Sequence, residues 1–166
     1  MPKSLTVEPL TAAAFAPFGE VIETPASGGA VTNGGLAVRH DEVAKLDLLE
    51  EGSRPLLGIF RVQPTPLPIE VRWLECHPKA SQAFVPIGER PFLVIVAPAG
   101  SAPDPAATRA FLTNGRQGVN YRRGTWHFPV IALGGETDFL VLDRGDAGGN
   151  YAEAGLAGGT TLTVAI

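Results

Sequence analysis

The sequence has one cysteine among 166 residues. No disulfide can form within the chain, and the lone thiol, Cys76, suits a reducing compartment. Only 18% of the residues are charged, and the net charge is −4 at pH 7. No basic stripe of the kind that nucleic-acid backbones require is present, and Arg122–Arg123 is too small a cluster to make one. No apolar run approaches the roughly 20 residues of a membrane span; the longest lies near "FLVIVAPAG" (92–100). The opening "MPKSLTVEPL" lacks the apolar centre of a signal peptide. A P-loop, a dinucleotide-binding glycine fingerprint and a serine nucleophile elbow are also missing. These absences predict a soluble, cytoplasmic chain without nucleic acid or membrane partners.

The length suits one domain, 1–166, able to bury on the order of 70% of its unfolded surface, and 45% of the residues are apolar. Twenty glycines and fifteen prolines cut the chain into short segments and leave room for one or two short helices. "LTAAAFAPFGE" (10–20) offers Thr11 as an N-cap before an alanine-rich turn stopped by Pro17 and Gly19. "DEVAKLDLLEEG" (41–52) carries Val43, Leu46 and Leu49 at a spacing of three, which predicts a second helix. Elsewhere the period is two. In "IEVRWLEC", Ile69, Val71, Trp73 and Glu75 share one face, while Glu70, Arg72, Leu74 and Cys76 share the other. Many short strands between turn residues predict a mainly β sandwich or barrel. The final "TTLTVAI" reads as an edge or exchanged strand.

Two of the three histidines lie in these strand-rich regions. In "LECHPKASQAFVPIG", Glu75 and His77 are two apart on a strand and so point to the same face, and Gln82 opens the next strand. In "GVNYRRGTWHFP", His127 closes a Gly-Thr-Trp-His run. A His-Pro after a strand is often only a turn histidine, and Trp126–His127 could be core packing. Glu75 on an apolar face is different, because a buried carboxylate needs a partner or a raised pKa. Cys76 has the opposite parity and reads as a small buried residue. Arg61, if it points inward, needs an anion such as Glu75, Asp143 or a substrate carboxylate. Asp143 shares a face with Phe139 and Val141, and Arg144 follows it. Asn120 and Tyr121 either line a pocket or form a turn. Asn33–Gly35 and Arg39–Asp41 read as a turn and a surface loop, or as a loop over a barrel mouth.

The positions of Glu75, His77, Gln82 and His127 resemble the two short motifs of the cupin jelly-roll barrel. There, two histidines at i, i+2 followed by a Glu converge with a later G-x-x-H. Here a Glu replaces the first His and a Gln replaces the Glu. The longer runs "RVQPTPLPIEVRWLECHPKASQAFVPI", "RAFLTNGRQGVNYRRGTWHFPVIAL" and "TDFLVLDRG" resemble the ureidoglycolate lyase family, formerly called ureidoglycolate hydrolase. The most specific parts are H-P-x-x-x-Q-A-F-x-P, G-V-N-Y with W-H following, and D-R-G. Many relatives have a second His after W-H, where this chain has Phe128.

The resemblance implies a cupin-like β-barrel, commonly dimeric, that cleaves ureidoglycolate to glyoxylate and urea in allantoin breakdown. It implies either a divalent metal such as nickel, held by His77, Gln82 and His127, or no cofactor. The reaction needs a base, an acid and a cation for the carboxylate. Glu75, His77 and His127 are the expected catalytic groups, with Glu75 expected to be raised in pKa by burial. Gln82, Asn120 and Tyr121, together with Arg61, Asp143 and Arg144, are expected around the substrate. The rival readings are a metal-dependent cupin oxygenase or isomerase acting on another small acid, and a non-catalytic cupin that binds a small ligand.

Overall fold

The computed structural model describes residues 3–145 and 148–166. In chain order the first elements are β1 (Lys3–Leu5), β2 (Val7–Pro9), helix α1 (Ala12–Phe15), β3 (Gly19–Ile22), β4 (Ala30–Thr32) and β5 (Ala37–Arg39). Then come β6 (Pro55–Val62), β7 (Ile69–Val71), β8 (Trp73–Cys76), β9 (Gln82–Ile87), β10 (Phe92–Ala97) and β11 (Arg109–Leu112). The rest are β12 (Gly118–Tyr121), β13 (Trp126–His127), β14 (Ile131–Ala132), β15 (Thr137–Arg144), β16 (Ala152–Gly155) and β17 (Leu162–Val164).

The strands form three stacked layers, and β10 shows why. Its sequence, Phe-Leu-Val-Ile-Val-Ala, has no alternation because both faces are covered. Phe92, Val94 and Val96 pack against Phe84, Val119, Tyr121, Phe139 and Val141. Leu93, Ile95 and Ala97 pack the other way, with Val71, Leu162 and Val164. The middle sheet therefore runs β16-β8-β13-β10-β11-β2, with β14 also paired to β10. One face meets the sheet β3-β12-β9-β15-β6, and the other meets β1-β17-β7. This is a cupin-like β-sandwich rather than a closed barrel. The inner face is open at the β6 edge, where Phe60 touches Phe84 yet stays 48% exposed.

Thr11 caps α1 as the sequence predicts, its hydroxyl accepting from Ala14 N–H at 3.2 Å. The helix expected over 41–52 does not form; the segment is bent, with only a 3-10 turn at Glu50–Gly52. Long-range tethers override its spacing. Asp47 N–H donates to Ser81 Oγ, Ser81 N–H donates to Asp47 C=O, and Lys45 C=O accepts from Asn120. Leu48 is the residue buried there, while Val43, Leu46 and Leu49 stay exposed. The C-terminal strand is also not an edge: β17 sits between β1 and β7.

Asn33–Gly35 forms the turn of the β4–β5 hairpin, with Gly34 at φ 67° and Gly35 at φ 93°. This hairpin is exposed, and its main contacts are within itself. Among the described residues no helix is long and apolar enough to cross a membrane.

Candidate active site

The first two sheets bring a polar cluster together between their inner faces. Glu75 on β8 lies directly opposite His127 on β13 in the ladder. Parity decides which side they take: Leu74 and Cys76 face the second core, so Glu75 faces the first. The Glu75 carboxylate is 3.5 Å from His127 Nε2, at the outer limit of a hydrogen bond. His77 follows β8, its ring 5.4 Å from that of His127. The Tyr121 ring stacks on His127 at 4.2 Å with a 14° tilt.

The sheet carrying β12, β9 and β15 supplies the facing side. Gln82 pairs with Tyr121 across the β9–β12 ladder. Gln82 Nε2 donates to Asp143 Oδ2 at 3.0 Å, and Asp143 has the inward parity of Phe139 and Val141. Six of the nine residues expected at the site therefore converge here: Glu75, His77, Gln82, Tyr121 and His127, with Asp143 behind Gln82.

Backbone carbonyls set the state of both histidines. His77 Nδ1 lies 2.6 Å from Asn150 C=O, and His127 Nδ1 lies 2.9 Å from Thr125 C=O. A carbonyl can only accept, so each Nδ1 carries a proton, and each Nε2 of a neutral ring offers a lone pair. Among the described residues neither Nε2 has a hydrogen-bond partner, and both are buried, as are Tyr121 OH and Gln82 Oε1. Buried polar atoms are rarely left so, and their clustering marks a place built for a ligand.

Glu75 corrects the expected direction of its pKa. Burial pushes the carboxyl up. His127 and His77 in their protonated forms, together with the nearby Tyr151 hydroxyl, outweigh burial and hold it below the usual value. Glu75 is thus an ionised acceptor rather than a proton donor. Because its folded pKa lies below the unfolded one, its stabilisation is present above the ordinary carboxylate range. It is lost as pH falls through the folded value. In urea titrations, the stability advantage of wild type over Glu75→Gln should shrink as pH drops below about 4.5. A difference that stays constant with pH would refute this linkage.

Three expected residues lie elsewhere. Arg61 points to the outer face of β6, where its guanidinium forks onto Asp138 at 2.8 Å, a pairing that strand parity imposes. Asn120 has the opposite parity to Tyr121; its Nδ2 donates to Glu20 and to Lys45 C=O on the outer side of the sheet. Arg144 is likewise opposite to Asp143, and its buried guanidinium bonds Lys79 C=O and Glu51. Burial raises the pKa of Cys76, which packs in the second core as its sequence parity implies.

Sequence reasoning passed over Asn150 and Tyr151. Asn150 fixes His77 through its carbonyl, and its Oδ1 accepts from Lys79 N–H. Tyr151 stands 6.3 Å from the His77 ring and donates to Glu153 at 2.8 Å, and this bond is the main reason its pKa is pushed up to about 12. The one local signal was a polar pair, Asn-Tyr, closing a glycine-rich stretch.

Glu75, His77 and His127 place one ligand atom each within 4.8 Å of one another. Two partnerless imidazole nitrogens and one ionised carboxylate fit a divalent ion. The sequence offered Gln82 as the third donor; its Nε2 donates to Asp143 and its Oε1 is buried beside the cluster.

A sequence model of the family described as ureidoglycolate lyase matches residues 2–163. The chain is 53% identical over 161 residues to a ureidoglycolate lyase of Burkholderia mallei (strain NCTC 10229), covering 97% of this chain and 94% of the relative. It is 51% identical to one of Azotobacter vinelandii, over 90% of each chain. It is 48% identical to one of Pseudomonas syringae pv. tomato, over 91% of this chain and 89% of that protein. Glu75, His77 and His127 thus sit in a sequence that matches one family along almost its whole length, and the chain belongs to the ureidoglycolate lyase family.

Proposed function

We propose that this chain cleaves ureidoglycolate to glyoxylate and urea at the cluster of Glu75, His77 and His127, and that it works as a cytoplasmic homodimer in allantoin breakdown. The observation that carries the site is the pair of buried, partnerless Nε2 atoms beside an ionised carboxylate. The substrate carbon bears a hydroxyl, a ureido nitrogen and a carboxylate. His127 Nε2 takes the hydroxyl proton as the C–O bond gains double-bond character and the C–N bond breaks. Glu75 stabilises the imidazolium that forms, and the imidazolium then protonates the departing urea nitrogen. One group moves one proton, so the enzyme returns to its starting state. The Tyr121 hydroxyl and Gln82 Oε1 supply hydrogen bonds for the hydroxyl and the ureido group.

If a divalent ion is held by Glu75, His77 and His127, His127 Nε2 is a ligand instead of the base, and the ion would supply Lewis-acid activation of the substrate hydroxyl in its place. Urea and glyoxylate release before and after chelation, with metal content measured on the same sample, tests the reading. Equimolar products above the spontaneous rate are expected. Their absence in both states would overturn the lyase and leave a different cupin chemistry or a binding role.

A further inference from the structure

One buried amide at the site is held in a single orientation. Gln82 opens β9 with its side chain on the inward face of Phe84. It pairs with Tyr121 of β12 on one side. On the other side it adjoins the ladder pair Leu142–Ala83, which sets it beside Asp143 of β15. An amide can sit either way round, and here the neighbour decides. Gln82 Nε2 lies 3.0 Å from Asp143 Oδ2, and a carboxylate oxygen accepts, so the NH2 end faces Asp143. Asp143 is itself fixed, because its Oδ1 accepts from the Arg144 N–H at 2.7 Å. Gln82 Oε1 is then turned away from Asp143, and it has no partner among the described residues. The flipped amide would set oxygen against carboxylate and present NH2 in its place.

This orientation decides what the cluster can bind. Its unpartnered atoms are nearly all acceptors: Gln82 Oε1 and the Nε2 atoms of neutral His77 and His127, with the Glu75 carboxylate beside them. Only the Tyr121 hydroxyl can donate. Such a wall suits the N–H and O–H end of a ligand and repels an anionic end, since a buried acceptor is satisfied only by a donor. A ureido group is such an end, with an N–H and an NH2 in one plane.

We propose that Gln82 Oε1 reads the N–H groups of a ureido acid, and that Asp143 is a positioning residue that keeps this oxygen turned to the ligand. The ureido end, rather than the carboxylate, enters between Gln82 and the histidines. The inference deepens the lyase reading and rests on it for turnover; recognition of the ureido group is tested without turnover.

The test exchanges the pair. Asp143→Asn frees the amide to flip, and Gln82→Glu sets two carboxylates together. Each should raise KM for ureidoglycolate by about 5- to 50-fold, with kcat much less affected because His127 is untouched. The double variant Gln82→Glu/Asp143→Asn reverses donor and acceptor, so an oxygen again faces the ligand, and KM should return to within about threefold of wild type. Gln82→Met, close in shape but without an acceptor oxygen, should lose as much and gain nothing from Asp143→Asn. Melting curves on the same proteins separate the pair from the ligand. A double variant that regains stability but not KM overturns the reading by Gln82, and one that regains neither overturns the positioning by Asp143. Calorimetry with oxalurate repeats the cycle without catalysis; it is a ureido acid with a carbonyl in place of the carbon that bears the hydroxyl. The dissociation constant should follow the same loss and rescue. A wild type that does not bind oxalurate, or equal binding by all the proteins, overturns the inference. A wild type that follows the oxalurate pattern yet releases no urea or glyoxylate sinks the lyase reading and leaves ureido recognition standing.

Discussion

Replacing His127 with Gln lowers kcat for urea and glyoxylate release by about 10²- to 10⁴-fold, the usual range for removing a positioned acid–base group. Gln keeps a polar side chain of similar reach opposite Glu75, so the fold has a fair replacement. It has no lone-pair nitrogen to take the hydroxyl proton and cannot become a cation. The stacking of Tyr121 on His127 makes the ring partly structural. A melting curve of the variant therefore has to accompany the kinetics. A folded His127→Gln enzyme with kcat within a few-fold of wild type would refute His127 as the base.

The second large effect concerns the layer beneath the site. Phe139→Ala should cost about 3–5 kcal/mol, the usual range for emptying a fully buried Phe position. Phe139 has no exposed surface; its ring meets Phe92 edge-on at 4.9 Å and Phe84 at 6.2 Å. Phe92 belongs to the middle sheet and Phe84 to the outer one, so this side chain joins the two layers that carry the catalytic groups. Equilibrium unfolding in urea measures the loss. A change under 1 kcal/mol would mean that the layers close over the gap.

The sequence made the strands legible wherever one face meets water and the other meets a core. The alternation held within β8, from Trp73 to Cys76, but broke at Arg72: Ile69 and Val71, expected on the face of Glu75, belong to another sheet and pack in the second core with Leu74 and Cys76. The same parity arithmetic was available for "GVNY" and "FLVLDRG", yet it could not say which face of each strand carried the site. Hence Tyr121 and Asp143 lie inward while their neighbours Asn120 and Arg144 lie outward. Arg61 was undecidable for a related reason: its partner Asp138 is 77 residues away and meets it only through the β6–β15 ladder. The false helix at 41–52 has the same origin. A spacing of three suits a helix, but tethers to Ser81, Asn120 and Arg123 come from residues far along the chain that a local reading does not see. The direction of the Glu75 pKa also needed the neighbours, because burial alone points the other way.

β10 is paired on both edges and covered on both faces. Its peptide protons can reach water only when the entire sandwich opens, so they are the slowest to be replaced by deuterium and report the global unfolding free energy. The protons of the β4–β5 hairpin lie at the other extreme in an isolated copy. The reacting groups stand on the slow side of this divide, since β13 and β8 extend the ladder that begins at β10. Solvent entry by local opening is thus directed toward the rim of the molecule and away from the chemistry.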